Sequence, residues 1–311
     1  MTRFVFLLYG RPAAAERELA YALETLRHEL PSSRAQRSDP AVSPDADSAN
    51  LAARAVEGPG GRAAARLDGF AALAMTESVV LYTDRTQDFP GVTTIDASPF
   101  LAAAGVYRHS VKPRVLADAL RRFGEDCVML DLDGFVKVGF AASVAKALAQ
   151  GAAMNQFVRS DPYPFFPEFR TELPNLGPYR LDRDSALMLN SGLVAVRAEH
   201  APLIEDAIVL IDRLWAAGLR KHDIEQFAVA ETLRLGGVKI ALIDDTFEHY
   251  CPRWSRRYMR RRLRRRAPGA HVPYSKTRVR LFKAYWTLRL VMRKARRSKV
   301  GSSWRGQWRK T

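Results

Sequence analysis

Hydrophobic and polar positions along the first 250 residues form short apolar runs that alternate with longer helical patterns. The apolar runs predict strands at 4–9, 77–82 and 238–243, and within 186–196, where a polar turn interrupts the run. Apolar residues at helical spacing predict helices at 13–30, 113–123, 140–150, 200–217 and 223–235. Strands that alternate with helices are typical of an α/β domain with a mainly parallel central sheet.

The most informative run covers residues 127–130 and is followed by Asp131-Leu132-Asp133. It is too short for a helix and apolar enough to be a strand buried on both faces. Residues two apart on a strand point the same way, so Asp131 and Asp133 can converge at its carboxyl end. A divalent cation such as Mg²⁺ or Mn²⁺, shared with a phosphate, would relieve their mutual repulsion. The alternative is a solvated turn after a buried strand.

Two segments interrupt this pattern. Residues 31–66 are rich in Ser, Pro, Asp, Gly and Ala, which predicts a flexible surface insertion. Residues 159–185 form a predicted long loop that is rich in proline and aromatic residues. This loop could be a cover packed over the core or a platform for an acceptor.

The charge is divided unevenly along the chain. The net charge is +16, yet residues 251–311 contain 22 Lys and Arg and no Asp or Glu. Residues 1–250 therefore carry 27 basic and 33 acidic residues. This asymmetry predicts a mildly acidic globular domain at 1–252 and a basic, aromatic-containing helical tail at 253–311.

Several other features limit the class of protein. No apolar run reaches the roughly 18 residues typical of a membrane-spanning helix. The apolar run at the N-terminus is too short for a secretion signal, and two cysteines provide no disulfide framework. We expect a cytoplasmic protein that its basic tail can bring to the inner face of the cell membrane.

The domain carries a series of short motifs in a fixed order. They are Leu8-Tyr9-Gly10, Tyr82-Thr83-Asp84, a helix with Lys112, Asp131-Leu132-Asp133, Asn190-Ser191-Gly192, Asp223-Ile224-Glu225-Gln226 and His249-Tyr250. Over residues 3–252 this order resembles the nucleotide-diphosphosugar transferases of the GT-A type, in particular the bacterial relatives of the glycogenin-like group. The resemblance implies a Rossmann-like fold and a metal-dependent glycosyltransferase with a nucleotide-diphosphosugar donor.

The resemblance also implies roles in binding the nucleotide and the metal. Tyr9, Gly10 and Asp84 would line the nucleoside pocket, and Lys112 would face the diphosphate or the nucleotide sugar. Asp84 is also suited to an ordinary turn, and Lys112 to an ordinary surface position.

Asp131 would contact both the ribose and the metal. Asp133 would bind the metal directly, and His249 would complete the metal's coordination shell. A core histidine is the alternative for His249. Gly134, directly after Asp133, and Pro113, directly after Lys112, depart from the pattern of the family.

Four polar residues are candidates for the transfer step. By resemblance, Asn190 and Gln226 would border the transferred sugar or the acceptor. Asp223, Glu225 and Gln226 are the candidates for stabilising the positive charge of an oxocarbenium-like transition state. Asn190 could instead bond its own backbone in a turn, and an acid at the start of a helix complements the helix dipole regardless of function.

The basic tail mixes arginine clusters with aromatic residues up to Trp304 and Trp308. Such a composition suits the surface of an anionic membrane, and lipid-linked or glycan acceptors would match it. A solvated tail and nucleic-acid binding are the alternatives, although no nucleic-acid motif accompanies the charge. The sequence thus predicts a transferase in surface polysaccharide or glycolipid synthesis. The alternative is a degenerate GT-A-like binding protein or a basic nucleic-acid-binding protein.

Overall fold

The computed structural model describes residues 2–9, 12–29, 78–85, 89, 92–160, 162–163, 166, 168–267 and 270–307. Side chains are described within these ranges except at 12–13 and 293–307. The insertion predicted at 31–66 lies outside the described residues, as do Gly10 and Trp308. By packing, the chain divides into two compact units, Met1–His249 and Tyr250–Thr311.

The first unit alternates strands and helices, as the apolar pattern predicts. Its strands are β1 (Thr2–Leu8), β2 (Val79–Thr83), β3 (Thr93–Asp96), β4 (Asp126–Leu130), β5 (Gly134–Val136), β6 (Ala152–Met154), β7 (Phe157–Ser160), β8 (Arg170–Leu173), β9 (Gly177–Arg180), β10 (Leu187–Leu189), β11 (Leu193–Val196), β12 (Ile240–Leu242) and β13 (Phe247–His249). Its helices are α1 (Pro12–Glu29), α2 (Ser98–Ala104), α3 (Val111–Phe123), α4 (Phe140–Gln150), α5 (Ala201–Ala216) and α6 (Ile224–Leu235).

Seven strands form the central sheet in the order β12-β6-β11-β4-β1-β2-β3. Strand β1 pairs in parallel with β2 and β4, β2 pairs in parallel with β3, and β6 pairs in parallel with β12. Only β11 among the described strands of this sheet is antiparallel to its neighbours. The prediction of an α/β fold with a mainly parallel sheet is confirmed. The carboxyl ends of β1, β2, β4 and β6 and the start of β11 meet at one edge, which we call the carboxyl edge.

The centre of the sheet is buried on both faces because β2, β6 and β11 and most of β1 and β4 are apolar. In β1, Val5 belongs to the apolar cluster that contains residues of α3, α5 and α6. Its neighbours Phe4, Phe6 and Leu8 belong to a second cluster with residues of α1 and α4. Burial from both sides fixes the register of β1 and β4, and with it the position of the residues that follow each strand.

Two segments contain elements that the apolar pattern did not predict. Strand β3 lies at the edge of the sheet with mostly exposed residues, so it produces no apolar run. The predicted loop at 159–185 contains the antiparallel hairpin β8–β9. Tyr163, Phe169 and Tyr179 of this segment are buried in the main apolar cluster, which agrees with a cover packed over the core.

The described part of the second unit contains two helices, α7 (Arg253–Leu263) and α8 (Lys276–Gln307). Tyr258 of α7 packs against Phe282 of α8 with ring centroids 5.5 Å apart. Met259 and Leu263 of α7 and Val279 of α8 are buried. Among the described residues, no helix has the length and apolar character needed to cross a membrane.

Candidate functional site

The three predicted metal ligands lie together at the carboxyl edge. Asp131 follows β4, and Asp133 immediately precedes β5. The ladder between β5 and β13 pairs Gly134 with His249, which brings the imidazole beside Asp133. His249 Nε2 lies 3.1 Å from Asp133 Oδ1 and 3.5 Å from Asp131 Oδ2. The three potential ligand atoms lie within 4.8 Å of one another.

A hydrogen bond to Asn190 fixes the orientation of His249. The Oδ1 atom of Asn190 lies 2.8 Å from His249 Nδ1. The same oxygen accepts the backbone N–H of Gly192 at 2.9 Å and the amide of Asn155 at 3.3 Å. Because an amide oxygen only accepts, Nδ1 carries the proton toward Asn190, and Nε2 is the ring atom that faces Asp131 and Asp133.

Gly192 provides the space that the His249 ring occupies. A Cβ atom at position 192 would overlap the imidazole, with Nδ1 as its nearest neighbour. The chain also approaches Asp131 closely here, because the Asp131 N–H donates to the Gly192 carbonyl at 2.8 Å. Any larger side chain at 192 would therefore displace the proposed metal ligand.

The two departures from the family pattern have local structural reasons. A Cβ atom at Gly134 would overlap the ring of Phe247, so the packing of Phe247 on β5 requires glycine there. Pro113 lies in the first turn of α3, where backbone N–H groups lack intrahelical partners and proline is tolerated. Neither residue disturbs the cluster of Asp131, Asp133 and His249.

Lys112 directs its ammonium into the site rather than to the surface. Its Nζ lies 2.8 Å from Asp131 Oδ1 and 3.5 Å from Glu225 Oε1. It also donates to the Ser191 carbonyl at 3.3 Å. Burial alone would lower the pKa of Lys112, but the charges of Asp131 and Glu225 outweigh that effect and hold the pKa above its ordinary value.

The first turn of α6 faces the Asn190-Ser191-Gly192 turn. Glu225 is buried, and its Oε1 accepts the Ser191 hydroxyl at 2.8 Å. Burial raises the pKa of the Glu225 carboxyl above its usual range, although Lys112 opposes the rise. The Gln226 Oε1 accepts the Ser191 N–H at 3.4 Å. Ser191 thus connects Lys112 with both predicted residues of α6.

Asp223 contacts a different part of the molecule. Its carboxylate accepts hydrogen bonds from Arg159 at 3.0 Å and from the Tyr163 hydroxyl at 3.3 Å. Although Asp223 precedes α6, its side chain makes no capping hydrogen bond to that helix. The carboxylate therefore ties the start of α6 to β7 and to the segment that follows it.

Tyr9 and Asp84, two of the three predicted nucleoside residues, lie at the same edge. Tyr9 is half-buried directly after β1, and burial raises the pKa of its hydroxyl. The charge of Lys112 lowers this pKa and that of Asp131 raises it further. Asp84 is exposed directly after β2. Both positions follow from the parallel order of the strands.

Tyr107 is a residue of the site that the sequence analysis missed. Its hydroxyl accepts the backbone N–H of Glu225 at 3.1 Å and donates to the His222 carbonyl at 3.0 Å. Because Asp223 makes no capping bond, this phenol satisfies an N–H at the start of α6 in place of a local cap. Tyr107 and Glu225 are separated by 118 residues, so no sequence spacing could reveal the contact.

The donor set is chemically suited to one divalent cation. Asp131 and Asp133 offer carboxylate oxygens, and His249 offers the Nε2 atom that faces them. Carboxylates suit Mg²⁺ and Mn²⁺, and imidazole suits transition metals. The hydrogen bond from Nδ1 to Asn190 is the outer contact that ligating histidines usually make.

No family model and no curated protein matches the sequence. Among solved structures, the chain is similar to the galactosyltransferase LgtC in complex with donor and acceptor sugar analogues, at 11% identity and a TM-score of 0.47, covering 89% of this chain and 99% of that one. It is also similar to the bifunctional glycosyltransferase WbbM, at 9% identity and a TM-score of 0.39, covering 78% of this chain and 38% of that one. A third is a putative glucose-1-phosphate thymidylyltransferase from Bacillus anthracis, at 12% identity and a TM-score of 0.33, covering 87% of this chain and 98% of that one.

Proposed function

We propose that residues 1–249 transfer a sugar from a nucleotide-diphosphosugar to an acceptor, with the help of a divalent cation held by Asp131, Asp133 and His249. The observation that carries this proposal is the cluster itself. Its three potential ligand atoms lie within 4.8 Å of one another at the carboxyl edge of a mainly parallel sheet. Ligands of open α/β sheets bind at that edge.

The cation, when bound, would act as a Lewis acid that neutralises the diphosphate leaving group. Lys112 adds a fixed positive charge beside Asp131. Since Asp131 and Glu225 already hold its ammonium in place, little reorganisation is needed as charge develops on the leaving group. We assign Lys112 to the diphosphate for this reason.

The polar residues at the start of α6 are suited to stabilising a positive charge. An oxocarbenium-like transition state carries positive charge at the sugar, and Glu225 and Gln226 offer a carboxylate and an amide oxygen near Ser191. We assign them to the transferred sugar. Asp223, bonded to Arg159 and Tyr163, holds the start of α6, and Asn190 orients His249.

Tyr9, Gly10 and Asp84 are assigned to the nucleoside pocket. Tyr9 and Asp84 follow neighbouring parallel strands, and a nucleoside at this edge would leave its diphosphate near Asp131. The mixed carboxylate and imidazole donor set supports Mn²⁺ over Mg²⁺ as the cation.

The basic unit suggests where the acceptor is located. Tyr250–Thr311 contains α7 and α8, and α8 exposes Leu281, Tyr285, Leu288 and Met292 at helical spacing. An apolar stripe among many basic residues is suited to an anionic membrane surface. We therefore propose a lipid-linked or glycan acceptor, in surface polysaccharide or glycolipid synthesis at the inner face of the membrane.

The transferase proposal is tested with a panel of nucleotide sugars and Mn²⁺. Asp133→Asn keeps the shape of the side chain and removes its charge. We expect it to lower metal-dependent transfer and donor hydrolysis by at least about a thousandfold, because the cation supplies several kcal/mol and each 1.36 kcal/mol is tenfold. Calorimetry with Mn²⁺ should show a parallel loss of metal binding.

Glu248→Gln is the matched control, because Glu248 lies on β13 beside His249 but pairs with Lys137 at 3.0 Å. It should leave metal binding and turnover nearly unchanged. Metal-dependent turnover that survives Asp133→Asn would contradict the assignment. Mn²⁺-dependent binding of nucleotide sugars without any turnover would identify a degenerate binding protein instead.

A further inference from the structure

Three arginine side chains surround a single tryptophan in the second unit. The guanidinium carbons of Arg257, Arg261 and Arg289 lie 4.7, 5.6 and 5.4 Å from the ring centroid of Trp286. Arg257 also lies 5.5 Å from the ring of Trp254. We call Arg257, Arg261, Arg289 and Trp286 the Trp286 cluster.

This concentration of positive charge lies in a part of the chain that has no acidic side chains. Residues 251–311 contain no Asp or Glu, so no carboxylate side chain in this part of the chain can neutralise the three guanidinium groups. Arg257 and Arg261 are one helical turn apart on α7, a spacing at which like charges destabilise a helix. An anion from outside this unit would relieve that repulsion.

Stacking on tryptophan prepares the arginines for such an anion. A guanidinium held against a ring keeps the N–H groups at its edge available, and their planar fork matches the oxygens of a phosphate. The Trp286 indole N–H is buried and has no hydrogen-bond partner among the described residues. Arg289 is further held by a hydrogen bond to the Tyr285 hydroxyl at 3.4 Å. The cluster therefore combines oriented cationic donors with an unsatisfied neutral one.

We propose that the Trp286 cluster binds a phosphate group. The phosphate could belong to a lipid headgroup or to a soluble molecule, and both present the same oxygens to the guanidinium groups. All four residues of the cluster belong to the second unit, and the proposed binding of phosphate needs neither metal nor nucleotide sugar.

The first test is a titration of the full chain with inorganic phosphate in EDTA, at constant ionic strength set by chloride. The indole N–H resonance of Trp286, assigned with Trp286→Phe, is followed by ¹⁵N NMR. We expect a saturable shift of this resonance with phosphate and none with chloride. A resonance that does not move, or that moves without saturation, would overturn the proposal.

The second test compares two triple variants with the same loss of charge. Arg257→Gln/Arg261→Gln/Arg289→Gln should weaken phosphate binding by about tenfold or more, since hydrogen bonds to charged groups are worth about 1.5–3 kcal/mol. Arg264→Gln/Arg265→Gln/Arg280→Gln removes three basic side chains outside the cluster and should weaken binding much less. Equal losses in the two variants would mean that only net charge attracts phosphate, which would overturn the site.

A third variant covers the case in which the glutamine triple fails to fold by circular dichroism. Arg257→Lys/Arg261→Lys/Arg289→Lys keeps every charge but loses the planar fork and the ring stacking. It should still bind phosphate less tightly than the wild type. Wild-type affinity in the lysine variant would contradict a site built from guanidinium geometry.

Flotation of the full chain distinguishes the two sources of phosphate. Phosphatidylcholine vesicles are doped either with phosphatidic acid or with oleate at the same surface charge. If the wild type prefers vesicles with phosphatidic acid and the triple glutamine variant loses that preference, the cluster binds the phosphate of a lipid headgroup. If flotation does not depend on the three arginines while binding of inorganic phosphate does, the cluster binds a soluble phosphate.

Discussion

In residues 1–249, basic side chains contact carboxylates directly. Residues 250–311, in contrast, contain many basic side chains and no carboxylate side chain. At the carboxyl edge, Lys112 lies 2.8 Å from Asp131 and 3.5 Å from Glu225. Around Trp286, three guanidinium groups share one ring, and residues 251–311 contain no acidic side chain. The first cluster pairs charges of both signs within its own unit, and the second contains one sign only.

This difference separates two ways of preparing a site for a charged ligand. With Asp131, Asp133 and Glu225 ionised and Lys112 protonated, the first cluster has a net charge of −2, which one divalent cation would balance. Its geometry is held by hydrogen bonds from a buried turn. The second cluster relies on stacking to orient its cations, and it leaves their charge for an external anion.

Loss of Lys112 should have the largest effect, because it removes the cation that two carboxylates share. We expect Lys112→Met to lower the free energy of unfolding in EDTA by about 3 kcal/mol, the range for breaking a buried ion pair. Lys137→Met is the matched control, since Lys137 pairs with Glu248 in a more exposed position and should cost less than about 1 kcal/mol. Urea unfolding measures both, and equal costs would erase the contrast between the two clusters.

Loss of Asn190 should affect the metal more than the fold. Because its Oδ1 fixes the tautomer and orientation of His249, we expect Asn190→Ala to lower Mn²⁺ affinity by about 10- to 100-fold. Calorimetry with Mn²⁺ measures this loss. Asn155→Ala removes a donor to the same oxygen but leaves His249 in contact with Asn190, so its effect should be smaller. The reverse order would show that Asn190 does not orient the ligand.

The positions of the site residues could be predicted to the extent that strand order determines them. Asp131 follows a strand buried on both faces, and parallel strands bring their carboxyl ends to one edge. The helix predicted at 140–150 matches Phe140–Gln150 because its apolar spacing is regular. His249 was placed by resemblance, and the register of β5 with β13 brings it to Asp133.

Other features depend on contacts that no local pattern encodes. The role of Tyr107 rests on a hydrogen bond to a residue 118 positions away. Gly134 departs from the family pattern for a reason visible only in three dimensions, since Phe247 packs where a Cβ would be. Strand β3 is short and mostly exposed, so its sequence lacks the apolar run by which buried strands are recognised.

Loss of the Tyr107 hydroxyl should have an intermediate effect. Tyr107→Phe preserves the stacking on Trp215, whose ring centroid is 4.6 Å away, and leaves the N–H of Glu225 without its cap. If Glu225 and Gln226 act in the transfer step, we expect kcat to fall by about tenfold with little change in the donor KM, since an unsatisfied buried donor costs about 1–3 kcal/mol.

Tyr179→Phe is the control for this prediction, because Tyr179 is also buried and its hydroxyl donates to Glu231 at 3.4 Å, outside the site. It should lower stability by a similar amount and leave kcat unchanged. Equal changes of kcat in the two variants would mean that Tyr107 acts only through the stability of the fold.

Loss of Arg257 should have the smallest effect on stability, in contrast to the loss of Lys112. Arg257→Gln removes stacking on Trp254 and Trp286 but also removes repulsion from Arg261, so we expect the free energy of unfolding to change by less than about 1 kcal/mol. Phosphate at constant ionic strength should then raise the thermal midpoint of the wild type more than that of the variant, because a ligand stabilises only the state that binds it. If Arg257→Gln costs as much as Lys112→Met without phosphate, the cations around Trp286 are neutralised within the protein after all, and the contrast between the two clusters fails.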